Sequence, residues 1–304
     1  IQKLYDNIIW GQKSNYIEIP TDCPQRDERM GYTGDGHVFA LTGAYNYDTQ
    51  AFWHNWLRDL ALGQKDNSEG YIGSTVPAQG KGGIGFLSML GWGNAVSIIP
   101  TMLERIFDDK EILKEIYPSL KTFVECEIGR LKDDLWISPS LGDWLSPNGN
   151  MAWQAMNNGP VSNSFIVNDL NVIRRAASML GLEEDHLRYE RQYNKTREAW
   201  IKKWCSPDGI VASDYQSAYV MALKYLDLDG DLKKKVQEKF VDNVRRNGLR
   251  TGFFGTEHLL PLLVEAGEKK LSYDILFSTS CPGWLYQIHR GATTPWERWD
   301  AIKE

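Results

Sequence analysis

The stretch DCPQRDERMGYTGDG, residues 22–36, places acids and arginines between turn-forming proline and glycine residues. Its charged members are Asp22, Arg26, Asp27, Glu28, Arg29 and Asp35. Crowded carboxylates raise one another's pKa, whereas nearby arginines favour the ionised form, so such a cluster can keep one acid protonated beside charged neighbours. Cleavage of a glycosidic bond needs that combination, because one acid protonates the departing oxygen while a second carboxylate activates water or attacks the sugar. An ordinary charged surface loop is the alternative.

The second candidate carboxylate is Glu297, which lies between two tryptophans in the stretch GATTPWERW, residues 291–299. Aromatic neighbours remove water from a glutamate, and this desolvation raises its pKa toward the range useful for a general base. The alternative is a surface glutamate paired with Arg298. The residues of this stretch alone favour neither interpretation.

Two shorter motifs place aromatic rings beside polar groups. GDWLSP sets Asp143 beside Trp144, and GWGN holds Trp92 in a glycine turn. Each is weak alone, because an isolated tryptophan is more often part of the core. The chain as a whole carries 12 Trp, 14 Tyr and 10 Phe, and this high aromatic content favours an uncharged ligand with flat C–H faces, such as a sugar.

The elements that must position these residues are helices, since apolar residues recur at spacings of three and four. In Ala51–Gly63, for example, Phe52, Trp53, Trp56, Leu57 and Leu60 line one face. The pattern predicts eleven helices, near 1–10, 36–47, 51–63, 91–107, 111–131, 163–181, 185–205, 214–227, 231–247, 256–266 and 268–278.

Between the helices lie long loops rich in Gly, Pro, Asp and Asn at 20–35, 66–90, 132–162 and 248–256, followed by the tail beyond 279. Long loops in a compact domain are usually functional. Helices in consecutive pairs, with functional loops at one end, fit an all-α (α/α)6 barrel formed by a single domain of residues 1–304. The count leaves one helix missing, so we expect the barrel to be incomplete at its C-terminus.

Charge and residue spacing exclude several classes of function. The net charge of -6 includes no basic stripe for nucleic acid, and no apolar run is long enough for a membrane span. The five histidines and four dispersed cysteines show no metal-ligand spacing, so we expect buried free thiols, no metal and no cofactor. The glycine-rich segment Gly80–Gly93 lacks a GK[ST] triplet and indicates a flexible rim loop rather than a phosphate site. With no signal peptide and no paired cysteines, a cytoplasmic location is favoured.

The motifs together resemble those of α-L-rhamnosidases of glycoside hydrolase family 78. DCPQRDERMGYTGDG, GWGN, GDWLSP, DYQSAY at Asp214, TGFFGT at Thr251 and GATTPWERW occur in the order seen in that family, over nearly the whole chain. The resemblance implies a six-hairpin (α/α)6 barrel, hydrolysis of terminal α-L-rhamnosides with inversion, and no metal or organic cofactor. The expected partner is a rhamnose-containing oligosaccharide or glycoside.

Site roles follow from the same resemblance, motif by motif. Glu28 corresponds to the general acid and Glu297 to the general base. The implied substrate-binding residues are Asp22, Arg26, Tyr32, Asp35, Trp92, Asp143 and Trp144. Asp27 and Arg29 are assigned to salt bridges that set the loop.

The chain departs from the family pattern at two positions and leaves other functions open. Tyr32 occupies a position that is often Trp, which keeps a sugar-facing ring but adds a hydroxyl. Asn94 stands where the family usually has Asp, which changes the expected fit of the substrate. The family also has a histidine in a segment beyond Glu304, so we expect weaker sugar binding here. The alternatives are an inactive or sugar-binding fragment, or a six-hairpin glycosidase for another sugar.

Overall fold

The computed structural model describes residues 1–78, 89–138, 140–147 and 159–302, and helices make up 62% of the structure. The described helices are α1 (Gln2–Asn15), α2 (Thr33–Asn46), α3 (Gln50–Gln64), α4 (Ala95–Phe107), α5 (Glu111–Ile128), α6 (Gly159–Met179), α7 (Glu183–Trp204), α8 (Gln216–Tyr225), α9 (Gly230–Asn247), α10 (Phe253–Glu265), α11 (Lys269–Leu276) and α12 (Trp284–His289). Strands β1 (Leu131–Lys132) and β2 (Leu135–Trp136) form a short antiparallel hairpin, with Leu131 opposite Trp136. The predicted all-α class is confirmed.

All eleven predicted helices are present as α1–α11, and the main differences lie at loop boundaries. The helix predicted from residue 91 begins at Ala95, because Gly91 has φ 97° and belongs to a turn. The tail beyond 279 contains α12, whose six residues form less than two turns, too short for a period to show. Residues 80–88 of the predicted Gly80–Gly93 loop lie outside the described residues.

One compact unit comprises Asn15–Leu141 and Ser162–Trp200. In it, α2 packs on α4, and α3 packs on both α4 and α5. The face of α3 predicted from its spacing is the buried one, since Trp53, Trp56, Leu57 and Leu60 are all within 1% of complete burial. Each such side chain stabilises the fold by roughly 1.5–3 kcal/mol, so α3 anchors this unit.

The second compact unit comprises Ile1–Ser14, Gly142–Val161 and Ile201–Glu304. Its central helix is α8, which packs on α9 and α10 and is buried along nearly its whole length. At its start Gln216 accepts a hydrogen bond from Arg250 N at 2.7 Å and donates from Nε2 to Asn243 Oδ1 at 2.9 Å. The DYQSAY motif that contains Gln216 therefore ties three segments of this unit together.

Two further observations concern the chemistry of the surface. Among the helices that the structure describes, none is both long and apolar enough to cross a membrane. All four cysteines are free, but Cys281 is exposed and the other three are only partly buried, so the expectation of buried thiols is wrong.

Candidate active site

The loop that carries the first motif is closed by Asp22 and Met30. Asp22 N donates to Met30 O at 2.8 Å, and Met30 N donates to Asp22 Oδ1 at 2.7 Å. Arg29 takes a left-handed backbone conformation, with φ 50°, and its Nε donates to Pro24 O at 3.1 Å. An ion pair of this loop joins Arg26 with Glu28, whereas the Arg29 guanidinium contacts a backbone oxygen among the described residues, so the salt-bridge role predicted for Arg29 is wrong.

A short backbone pairing leads from this loop into α2. Val76 N donates to Gly31 O, and Thr33 N donates to Ser74 O, both at 2.8 Å. A Cβ at Gly31 would lie 2.3 Å from Val76 O, so only glycine permits this approach. The pairing fixes Tyr32, which lies between these two hydrogen bonds, at the residue before α2.

Glu28 receives a hydrogen-bond donor at each carboxylate oxygen. The Tyr32 hydroxyl donates to Oε1 at 3.0 Å, and the Arg26 guanidinium contacts Oε2. The Glu28 side chain is 26% exposed, so the carboxyl is held in place yet remains open to solvent. A carboxyl with this combination of fixed orientation and access can exchange a proton with a bound molecule.

Other acidic and phenolic side chains of the first motif interact electrostatically with one another and with Glu28. Burial raises the pKa of Asp22, backbone hydrogen bonds from Cys23 and Met30 oppose the shift, and the charge of Glu28 adds to it. Burial also raises the pKa of Tyr32, helped by the Glu28 hydrogen bond and by the charges of Glu28, Asp22 and Asp35. The structure therefore brings the four predicted acidic and phenolic side chains of this motif together, and Tyr32 remains a protonated donor at neutral pH.

The substrate-binding role that the resemblance implies for Trp92 requires its ring to be at least partly exposed. It is only 3% exposed, and a Cβ at Gly34 would lie 2.9 Å from its ring atoms. Because glycine at position 34 lets the indole pack directly on the first turn of α2, the ring supports the helix that follows Tyr32. Trp92 does not have the exposure that the implied role requires, and its packing gives it a structural role.

Asn94, the second departure from the family pattern, is buried in a polar network that sequence reasoning missed. Its Oδ1 accepts from Gly91 N at 2.6 Å, and its Nδ2 donates to Asp169 Oδ2. Ser97 Oγ donates to Asp169 Oδ1. Burial raises the pKa of Asp169 to about 7 and raises the pKa of its neighbour Glu127, which the charge of Asp169 raises further. Asn94 therefore fixes the GWGN turn to a buried acid pair.

We expect Asn94→Asp to destabilise the fold by about 1–3 kcal/mol, or several degrees in Tm, with a larger loss at pH 8 than at pH 6. The folded-state pKa of Asp169 is raised, so its contribution to stability is full below its ordinary range and is lost as pH rises through about 7. A third carboxyl replaces the amide donor with an acceptor, which makes ionisation of Asp169 still less favourable. Thermal unfolding across this pH range measures the effect.

The matched control is Asn163→Asp, which changes a buried amide that bonds the backbone of Trp136. Asn163→Asp carries the same general cost of burying a carboxyl. The difference in stability between the two variants therefore measures the interaction of the carboxyl at position 94 with Asp169. An Asn94→Asp protein as stable at pH 8 as the parent would contradict this account.

Asp143, in the second unit, also differs from its predicted substrate-binding role. It is 1% exposed, and its carboxylate accepts from Gly252 N at 2.7 Å and from Gly255 N at 3.2 Å. Burial raises the pKa of Asp143 to about 6, against several hydrogen bonds that lower it. Its acceptor oxygens satisfy backbone donors at the start of α10, so the TGFFGT motif is an anchor for Asp143. No oxygen is presented to solvent for a sugar, and the predicted role is corrected to a structural one.

Replacing Asp143 with alanine should therefore lower the free energy of unfolding by about 1–3 kcal/mol, because two buried N–H groups lose their acceptor. Calorimetry on the parent and on Asp143→Ala gives the change. If Asp143 instead bound substrate directly, KM would rise while the melting temperature stayed constant. That second result would restore the original prediction.

Trp144 contacts the same motif through its backbone and is partly exposed, as its implied substrate-binding role requires. Its carbonyl accepts from Phe253 N at 3.1 Å, and a Cβ at Gly252 would lie 2.3 Å from the Trp144 oxygen. The close approach fixes the backbone of Trp144 against α10. Trp144 as a residue is thus anchored through its backbone and partly exposed, which is compatible with an aromatic surface for a ligand.

Glu297 is exposed, so of the two interpretations of this stretch, the one in which the aromatic neighbours desolvate it is wrong. The two flanking rings turn aside, since Trp296 packs edge-on against Tyr286 and Trp299 against Trp284. Arg298 pairs with Asp300 instead, through Nε and Oδ1 at 3.1 Å.

The backbone that precedes Glu297 is fixed by two side-chain hydrogen bonds. Trp296 N donates to Gln287 Oε1 at 3.1 Å, and Asn7 Nδ2 donates to Ala292 O at 2.7 Å. Since the flanking rings are also packed, the segment is held in place. Glu297 is therefore an exposed residue on a backbone segment that is held in place.

One group of side chains in the described residues has metal-ligand geometry. The sulfur of Cys23 and one carboxylate oxygen each from Asp22 and Glu28 lie within 4.8 Å of one another. Zinc sites built from such ligands usually have four ligands, and this group supplies three. Acidic groups at a surface often lie this close without an ion, so the arrangement by itself assigns no metal.

The whole chain, residues 1–304, matches the family described as the bacterial alpha-L-rhamnosidase 6 hairpin glycosidase domain. It is 35% identical to an alpha-L-rhamnosidase of Formosa agariphila, over 100% of this chain and 33% of that protein. It is 34% identical to an alpha-L-rhamnosidase of Alteromonas sp. strain LOR, over 99% of this chain and 33% of that protein. The chain thus spans about a third of the length of these relatives.

The solved structure of a relative has the same fold. The Streptomyces avermitilis alpha-L-rhamnosidase complexed with L-rhamnose aligns with a TM-score of 0.90 and 33% identity, over 99% of this chain and 28% of that chain. The predicted six-hairpin glycosidase fold is therefore confirmed.

Proposed function

The chain belongs to the family of bacterial α-L-rhamnosidase six-hairpin glycosidase domains, and we propose that residues 1–304 act as one catalytic domain that hydrolyses terminal non-reducing α-L-rhamnosides. The match over all 304 residues supports a single catalytic domain. The rhamnose complex of the S. avermitilis relative supports a rhamnose-containing glycoside as the substrate class.

Glu28 is the general acid in this proposal, and its surroundings are the observation that carries it. The carboxyl is partly exposed and has a donor at each oxygen, Tyr32 at Oε1 and Arg26 at Oε2. These donors stabilise the negative charge that remains when the proton leaves. Glu28 transfers its proton to the glycosidic oxygen as the bond between that oxygen and the anomeric carbon breaks.

Glu297 is the general base. It takes a proton from water, and the water oxygen bonds to the anomeric carbon on the face opposite the departing group, which inverts the configuration. An exposed carboxylate is suited to this role because it contacts water directly. Its fixed backbone, held through Gln287 and the packed indoles, supports a defined position for that water.

Substrate recognition is assigned to the exposed or partly exposed members of the motifs. Asp22, Arg26 and Asp35 bind the sugar hydroxyls, because charged groups form strong hydrogen bonds with them. The rings of Tyr32 and Trp144 lie against the apolar face of the sugar. Trp92 and Asp143 are left out of the substrate contacts, since both are almost completely buried.

The test is hydrolysis of 4-nitrophenyl α-L-rhamnopyranoside, compared with 4-nitrophenyl glycosides of other sugars. Proton NMR of the first product formed distinguishes the anomers, and the proposal requires the β-anomer of L-rhamnose. Appearance of the α-anomer would exclude inversion. Binding of L-rhamnose without turnover of any glycoside would favour a sugar-binding domain instead.

A further inference from the structure

The hydroxyl of Tyr32 is positioned more firmly than the other donor to Glu28. Tyr32 lies in the backbone pairing between residues 31–33 and 74–76, at the residue before α2. The Arg26 side chain, in contrast, is 52% exposed. Solvent screens an exposed ion pair, and long side chains lose entropy when they are held in one geometry. Tyr32 is therefore the fixed donor of this site.

The bond depends on the position of the donor atom in a tyrosine side chain. In tyrosine the donor is the hydroxyl at the far end of the ring, on the ring axis. Here the hydroxyl oxygen of Tyr32 lies 3.0 Å from Glu28 Oε1. A tryptophan, which often occupies this position in the family, carries its single donor on the five-membered ring. The hydrogen bond to Glu28 Oε1 therefore requires the tyrosine hydroxyl.

We propose that Tyr32, through its hydroxyl, is a positioning residue for the acid step, which orients Glu28 and stabilises its carboxylate as the proton leaves. This inference rests on the proposed function of Glu28. The oxygen that accepts from Tyr32 gains negative charge in the transition state, so the hydrogen bond strengthens as the reaction proceeds. Interactions that are stronger in the transition state than in the ground state increase kcat.

The size of the effect depends on how much protonation the departing group needs. A methoxide leaving group must be protonated as the bond breaks, whereas 4-nitrophenolate departs with little help. Loss of the Tyr32 hydroxyl should therefore slow methyl α-L-rhamnopyranoside hydrolysis more than hydrolysis of the 4-nitrophenyl glycoside. A contact that only binds the sugar would affect both substrates equally.

The experiment compares Tyr32→Phe with the parent on both substrates. We expect kcat on the methyl glycoside to fall about tenfold, the size of a hydrogen bond to a charged group, with little change in kcat on the 4-nitrophenyl glycoside or in KM. Equal losses on the two substrates, or a rise in KM alone, would overturn the inference.

The matched control is Tyr189→Phe. The Tyr189 hydroxyl donates to Glu125 Oε1 at 2.6 Å while Arg188 contacts Oε2 of the same carboxylate, so the set repeats the groups found at Glu28. It lies on α5 and α7, outside the motif, and its loss should leave the ratio of the two rates unchanged. A similar change of ratio in Tyr189→Phe would also count against the inference.

A second measurement keeps the inference separate from the proposed function. In protein labelled with ¹³C at tyrosine Cζ, the Tyr32 resonance, identified by its absence in Tyr32→Phe, should shift in Glu28→Gln. If this resonance shifts but the parent protein hydrolyses no rhamnoside, the hydrogen bond between Tyr32 and Glu28 is present and the proposed function is wrong. An unchanged Tyr32 resonance in Glu28→Gln would reject the pairing, whatever the activity.

Discussion

Glu28→Gln should lower kcat for methyl α-L-rhamnopyranoside by about 10²–10⁴-fold, because glutamine has no proton to give the departing oxygen. On 4-nitrophenyl α-L-rhamnopyranoside the loss should be smaller, since that leaving group departs with little protonation. Folding should be retained, because glutamine has the same shape and can still accept from Tyr32. Steady-state kinetics on the two glycosides, together with thermal unfolding, provide the measurement.

Glu125→Gln is a close control for this variant. Glu125 also has a tyrosine hydroxyl at Oε1 and an arginine at Oε2, and its side chain is 31% exposed, compared with 26% for Glu28. It should retain parental activity on both substrates. If Glu28→Gln remained within about tenfold of the parent on the methyl glycoside, Glu28 would not be the acid.

Glu297→Gln should lower kcat by a comparable factor, about 10²–10⁴, because the attacking water then has no base to take its proton. Here the loss should be similar for the methyl and 4-nitrophenyl glycosides, since activation of the water is needed with either leaving group. The two variants are thus expected to differ in how the loss of kcat depends on the leaving group. This difference distinguishes the acid from the base independently of where the two residues lie. Parallel kinetics on both variants measure it.

The control for Glu297→Gln is Glu265→Gln, which changes another exposed glutamate of the same unit, at the end of α10. The melting temperature should be unchanged in both variants, because neither side chain is buried. A leaving-group dependence in Glu297→Gln like that of Glu28→Gln would reverse the two assignments. Full activity of Glu297→Gln would remove this residue from the mechanism.

The corrections at Trp92 and Asp143 change how the aromatic and acidic motifs are understood. Both residues were assigned to substrate through the resemblance, and both are buried in contacts with glycines of other motifs: Trp92 with Gly34, and Asp143 with Gly252 and Gly255. The motifs therefore include residues that hold the loops together as well as residues that face a ligand. Sequence position alone does not separate these two classes.

Much of the fold could be predicted from the sequence because its determinants are local. The spacing of Trp53, Trp56, Leu57 and Leu60 repeats with the period of a helix, and the same four side chains are buried in α3. The charged loop from Asp22 is local in the same sense, since Glu28 and Tyr32 are four residues apart and do come together. Helix α12 was not predicted, because its six residues are too few to show a helical period.

Only the tertiary structure decided which polar residues serve the fold. Asn94 meets Asp169 across 75 positions of sequence, and Asp143 meets Gly252 across 109. Contacts between residues so far apart in sequence produce no spacing pattern. The sequence also does not distinguish a buried carboxylate from an exposed one. Glu297 shows the converse. Its two tryptophans left both a desolvated and a surface glutamate open, and only the packing of their rings on α12 shows that the residue is exposed. The sequence thus specifies which residue types are available for chemistry, whereas packing determines which of them water and a substrate can reach.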